Sequence, residues 1–206
     1  MIVRNKILKA INEGINNALM SFDDDIDTMQ KTGNTKIIGD KHLIVANDLV
    51  DKTLKTKECS EKDWQYIQDY AYYHVENKEQ IQEIVDVFCK LFGWKIDLNW
   101  IDVRMITDMQ KLFIRRRYFN CDISKWNVSN VTNMAAMFYN CANFNKDISN
   151  WDVHNVELTC RMFEGCKKFN QDLSNWDVRN ISDTSDMFAG CKQLNCDLSG
   201  WDLCSI

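Results

Sequence analysis

Proline is absent from all 206 residues and glycine occurs only seven times. Every turn must therefore be made by Asn, Asp, Ser and those few Gly, the first three through side chains that hydrogen-bond the nearby backbone. Histidine is scarce too: His42, His74 and His154 are scattered, and the nine cysteines contain no Cys-x-x-Cys pair. No apolar run approaches the ~20 residues that cross a bilayer. The opening stretch MIVRNKILKAINEGINNALMSFDDD is interrupted by Asn, Glu and Gly, so it lacks the apolar centre of a secretory signal. Basic residues are not in excess either; the formal charge is −5, which argues against a dedicated nucleic-acid binder. No nucleophile–base pair, phosphate loop or metal-ligand spacing stands out. The expectation is a non-enzyme without cofactor or metal, soluble and off the membrane, in a cytoplasm or a virion.

What is present is a period. From Asp97 onward the chain repeats every 25 residues, as NVSNVTNMAAMFYNCANFNKDISNW (127–151), DVHNVELTCRMFEGCKKFNQDLSNW (152–176) and DVRNISDTSDMFAGCKQLNCDLSGW (177–201). Trp126, Trp151, Trp176 and Trp201 fall in one column, and Phe113, Phe138, Phe163 and Phe188 in another. Cys141, Cys166 and Cys191 form a third, which reads as reduced thiols filling a small apolar core position. A fixed period of this length marks a solenoid. Ile81, Ile84, Val87 and Phe88 align one period before Ile106, Met109, Leu112 and Phe113, and Ile101 takes the tryptophan column. The repeat region is accordingly 78–206: a half unit 78–101, units 102–126, 127–151, 152–176 and 177–201, and a tail 202–206.

Within one unit Val131, Met134, Met137, Phe138 and Cys141 step by three and four, the spacing of one helix face. Asn130, Asn155 and Asn180 stand just before it as N-cap candidates. The shorter segment with Phe144, Ile148 and Trp151 reads as a strand near 146–148 and an extended piece near 151–153. The predicted fold is an α/β repeat: a right-handed, leucine-rich-repeat-like solenoid with a short helix and a short parallel strand per coil.

The signature MF-x-x-C-x-x-FN-x-D-[IL]-S-x-W-[DN]-V-x-N-[VI] resembles the 25-residue repeat of the BspA-like leucine-rich group, found in mycoplasma surface lipoproteins, protists and giant DNA viruses. The resemblance covers about 78–206. It implies a solenoid for display or protein binding and brings no catalytic residues with it.

Residues 1–77 resemble no family and read as an α-helical cap. Ile2, Ile7, Leu8, Ile11 and Ile15 give residues 1–20 a helical stripe. Asp23, Asp24, Asp25 and Asp27 begin like a calcium loop but lack its Gly and Glu, which favours a solvated turn. A short strand is expected at 36–38 and a helix over 42–54. A third helix is expected from a Ser60 cap through Tyr73, with His74 at its end.

Three further groups invite a function. Asp97, Asp122, Asp147, Asp172 and Asp197, with a second column of Asp102, Asn127, Asp152, Asp177 and Asp202, read as corner-closing side chains, with calcium as the alternative. Arg115, Arg116 and Arg117 are the one basic cluster, either an anion contact or a solvated irregularity. Finally, Leu198, Trp201 and Leu203 would line an open end, covered by an end-to-end second copy or by the tail itself. Positions such as Ser129/His154/Arg179 and Lys125/Asn150/Asn175 vary beside fixed core columns. That pattern predicts a repeat protein presenting a surface to an unknown protein partner; a structural component of an assembly is the alternative.

Overall fold

The computed structural model describes residues 35–201, with side chains from His42 onward. The expected helix over 1–20, the acidic turn, Asp202 and Leu203 lie outside the described residues.

Three helices open the described chain: α1 (Thr35–Thr56), α2 (Glu61–Tyr70) and α3 (Lys78–Phe92). α1 takes in the stretch 36–38, which is helical rather than a strand. Without proline, nothing there blocks an α-helix, and Gly39 alone costs only ~1 kcal/mol. Ala46, Leu49 and Val50 of α1 are buried, and the buried Thr53 hydroxyl donates back to the Leu49 carbonyl at 2.8 Å. α2 is capped by Ser60, whose Oγ accepts from the Asp63 amide at 3.1 Å.

That helix stops at Tyr70, short of Tyr73, because the following residues are captured in extended form. The Asn47 side chain takes both the N–H and the C=O of Tyr72, each at 3.2 Å. The Tyr73 amide then donates to the Trp100 carbonyl at 2.8 Å. Tyr73 and His74 thus form a strand (β1, Tyr73–His74), pairing in parallel with β2 (Ile101–Asp102). His74 consequently sits on a strand and not at a helix end. α3 is the most amphipathic helix, burying Ile81, Ile84, Val87 and Phe88. Asn77 caps it, and Gly93 ends it with φ of 91°.

Beyond α3 the 25-residue units lie one on another, and here the local structure departs from the prediction. The segment expected as a helix is a ring of turns. Its alternate amides leave the unit: Met109, Lys111, Phe113 and Arg115 donate to the carbonyls of Asn133, Ala135, Met137 and Tyr139 at 2.7–3.0 Å. Met134, Ala136, Phe138 and Asn140 repeat this toward Leu158, Cys160, Met162 and Glu164, and the next unit does the same. The intervening amides turn inward, as Leu112 to Met109 and Met137 to Met134.

Two left-handed residues per unit make the alternation possible: Lys111 and Arg115, Ala136 and Asn140, Arg161 and Gly165, Asp186 and Gly190, with φ of 54–76°. A left-handed residue at every fourth position is incompatible with a right-handed α-helix. The three-and-four spacing of apolar residues is real, since Val131, Met134, Met137, Phe138 and Cys141 are all buried, but a turn ring delivers it. Only in the half unit, at the end of the stack, do the same columns form a true helix, α3.

The parallel pairing also moves. Instead of residues 146–148, single bridges link Asp108, Asn133, Leu158 and Asp183 in succession, just ahead of each turn ring, and Asp97 to Asp122. Asn130, Asn155 and Asn180 have no helix to cap. Their Nδ2 atoms donate to the carbonyls of Arg104, Ser129 and His154 in the preceding unit at 2.6–2.8 Å.

The core columns run the length of the stack. Phe113, Phe138, Phe163 and Phe188 stack at ring-centroid distances of 5.4–5.6 Å. Phe119, Phe144 and Phe169 form a second row beside them. Indole Nε1 atoms of Trp126, Trp151, Trp176 and Trp201 reach back to the carbonyls of Leu98, Ile123, Ile148 and Leu173. Cys141, Cys166 and Cys191 donate their thiols to the carbonyls of Phe113, Phe138 and Phe163 at 2.9–3.0 Å. Burial pushes the Cys141 thiol up to about 12.

Three predictions rest on this geometry. Trp151 is 4% exposed whereas Trp201 is half-buried, so Trp151→Ala should cost ~3–5 kcal/mol in chemical denaturation and Trp201→Ala clearly less. Ala136→Gly should raise stability by roughly 0.5–1 kcal/mol by relieving a left-handed Ala, net of the glycine entropy loss. Gly165→Ala should lower the denaturation midpoint, because φ of 76° strains an L side chain and the new Cβ would displace the Asn140 side chain.

Candidate interaction surface

Because alternate amides point the same way in every ring, whole peptide groups line up along the stack. In the peptide joining Asp108 to Met109, and in each second peptide after it, C=O faces the N-terminal end and N–H the C-terminal end. The two ends of the stack therefore differ chemically.

At the N-terminal end the carbonyls are met by side chains. Gln82 of α3 donates to the Leu112 carbonyl at 3.1 Å, and Lys78 reaches the Gln110 carbonyl at 3.5 Å and the Asp108 carboxylate at 2.5 Å. Arg116 adds a 3.0 Å bond to the Leu112 carbonyl and a bidentate pair to Asp86 of α3, both at 2.9 Å. Arg116 is thus spent on holding α3, with its side chain only 15% exposed. Arg115 and Arg117 stay exposed, Arg117 lying over the exposed Tyr118 ring. Phe113 and Phe119 beside them are buried.

At the C-terminal end the equivalent amides of Thr184, Asp186, Phe188 and Gly190 find no acceptor among the described residues. Alongside them Phe188, Leu198 and Trp201, buried columns elsewhere, are partly exposed. They join Met187 and Ala189 around an open groove of about 310 Å³. The face combines a row of unpaired backbone donors with an apolar trough. Leu198 and Trp201, two of the three residues expected at an open end, lie beside this donor row.

The aspartates close corners. Asp97, Asp122, Asp147, Asp172 and Asp197 each accept, through Oδ1, the amide two residues on, at 2.7–3.0 Å. Asp102, Asn127, Asp152 and Asp177 do likewise at 3.1–3.4 Å. No group of three or more His, Cys, Asp or Glu gathers among the described residues in a way that could hold a metal ion. Variable positions sit on these corners and partly pair with them, as His154 with Asp152 and Arg179 with Asp177, both at 2.7 Å.

One polar cluster has no counterpart in the sequence reading. Asp102, 3% exposed at the β1–β2 join, accepts from Arg104 Nε and Nη2 at 2.9 Å and contacts His74 Nδ1 at 3.0 Å. These partners, Arg104 foremost, hold its carboxyl well below the usual range. A folded pKa below the unfolded one means stability that is present in full above the unfolded value and lost as pH falls through the folded one. Asp102→Asn should therefore destabilise the protein by a constant amount above about pH 5, and the gap to wild type should narrow progressively below about pH 4. Urea titrations across pH 2–7 measure this.

The family described as "Mycoplasma protein of unknown function, DUF285" matches residues 66–201, well over half of the chain, from within α2 to the last described unit. No curated protein and no solved structure matches the chain.

Proposed function

The chain belongs to the DUF285 family, and from that premise we propose that it is a non-catalytic repeat protein that binds another protein. We further propose that its units form a leucine-rich-repeat-like solenoid of the BspA-like kind, α1 and α2 serving as the cap over α3. The regular transfer of hydrogen bonds from each unit to the next supports that architecture.

The observation that carries the binding reading is the C-terminal face. Four backbone amides without acceptors among the described residues lie beside the apolar trough of Phe188, Leu198 and Trp201. An unpaired ladder edge next to apolar side chains is a pairing template. The polarity also selects among occupants. A second copy joined about a twofold axis would set N–H against N–H, so this face suits a polypeptide bringing carbonyl or carboxylate acceptors. Exposed corner positions such as Asn150 offer a second, polar surface on the flank.

Affinity capture with the full chain as bait, run in parallel with Ala189→Lys and Asn150→Lys, tests the proposal. Both positions are exposed, so both variants should fold. The expected result is a protein partner that Ala189→Lys weakens at least tenfold and Asn150→Lys does not. On addition of that purified partner, the amides of Thr184, Asp186, Phe188 and Gly190 should gain protection from hydrogen exchange. Failure to recover any partner, or a partner indifferent to Ala189→Lys that leaves those amides exchanging freely, would overturn it.

A further inference from the structure

Cys89 and Cys121 stand apart from the repeating cysteine column. Cys89 lies on α3, Cys121 on the unit that follows, and their Sγ atoms are 3.4 Å apart. Among the described residues this is the one thiol–thiol contact. We propose that the pair is a redox modification site, a latent disulfide that a peroxide closes to fasten α3 covalently to the first full unit.

The backbones on both sides are already fixed. Amides flanking Cys121 tie it to the segment just after α3: Asn120 donates to Trp94 at 2.9 Å and Asp122 to Ile96 at 2.8 Å. Cys89 is held in the last turns of α3, where its carbonyl accepts from Gly93 at 2.9 Å. A bond of about 2.05 Å therefore needs the sulfurs to close by roughly 1.4 Å, within reach of small side-chain rotations.

The environment divides the roles. The hydrogen bond the two sulfurs share holds Cys121 below the ordinary thiol value and pushes Cys89 up. Backbone groups of Ile96 and Asn120 and the charge of Lys146 act on Cys121 in the same sense. By contrast Cys59, Cys141, Cys160, Cys166, Cys191 and Cys196 are all raised, first of all by burial. The thiolate is the reactive form, so Cys121 is the sulfur that reacts first.

The step balances with hydrogen peroxide as the oxidant. The Cys121 thiolate attacks one peroxide oxygen, the O–O bond breaks, and hydroxide leaves with the proton Cys121 had given up, as water. Cys121 is then a sulfenic acid. The Cys89 sulfur attacks the Cys121 sulfur; its proton joins the departing hydroxyl as a second water, and the S–S bond forms. Two thiols are oxidised and one peroxide is reduced to two waters. Both cysteines are at most 2% exposed, which excludes bulky oxidants and restricts the step to a small one such as hydrogen peroxide.

Closing this loop restricts the unfolded chain, so the oxidised form should melt higher by on the order of 5–10 °C. The full chain is treated with stoichiometric hydrogen peroxide, denatured and assayed for free thiols. The expected count falls from nine to seven, with a non-reduced tryptic peptide pair linking Cys89 to Cys121. The Tm gain should reverse on adding dithiothreitol. Cys89→Ser and Cys121→Ser should each abolish the link, and Cys141→Ser should leave it intact. Should Cys121→Ser fail to fold, Cys89→Ala reports alone. A count that stays at nine, a link joining other cysteines, or Cys121 oxidised to sulfinic acid without a link would overturn the proposal.

Discussion

The stack depends on how each turn ring disposes of its backbone amides. A buried N–H without a partner costs more than a formed bond returns, so each ring must place all of them. In every ring but the last described one, every second amide bonds within the ring and the others bond to the neighbouring unit. This couples the units as tightly as a sheet does, while the formal β content stays at two short strands and isolated bridges. Side chains follow the same habit of reaching one unit back. Trp indoles, Cys thiols and the Asn130, Asn155 and Asn180 amides all donate to carbonyls of the preceding unit. Asn120, Asn145 and Asn170 reverse the direction, accepting the amides of Asn145, Asn170 and Asn195.

Such coupling has a direction. The carbonyl end of the aligned peptides meets Lys78, Gln82 and Arg116, donors of the kind that suit the negative end of a row of dipoles. α3 thereby acts as more than an apolar lid: its buried face continues the core columns and its polar residues terminate the hydrogen-bond columns. The N–H end carries no such residues among those described. The two ends thus differ in chemistry: carbonyls met by donors at one, amides without acceptors among the described residues at the other.

Much of this was legible in the sequence, and what was not has a definite cause. The period, the core columns and the corner aspartates are side-chain facts, and the columns of Phe, Trp, Cys and Asp state them directly. The Ser60 cap was also readable, because capping is a local bond between neighbours in the chain. The choice between helix and turn ring was not readable, since both bury residues at three-and-four spacing. Left-handed positions would have given the ring away, yet they hold Lys111, Arg115, Ala136, Asn140, Arg161 and Asp186, with glycine only at 165 and 190. The donor row beside Leu198 and Trp201 was not readable, because it is a property of peptide orientation alone. The His74–Asp102–Arg104 cluster escaped notice because it joins β1 to the repeats across long sequence separation. Asp102 itself looked like one more corner residue.

Since each ring accepts on one side and donates on the other, a unit is an interchangeable part. Inserting or deleting one whole 25-residue unit in the middle would leave α3 facing the same carbonyls and the last unit offering the same amides. A change of any other length would rotate every column past its neighbour and strand both the amides and the aromatic rows. Gene duplication in unit steps would then be structurally quiet, and the number of coils could drift in descendants of this gene while both termini of the stack kept their chemistry.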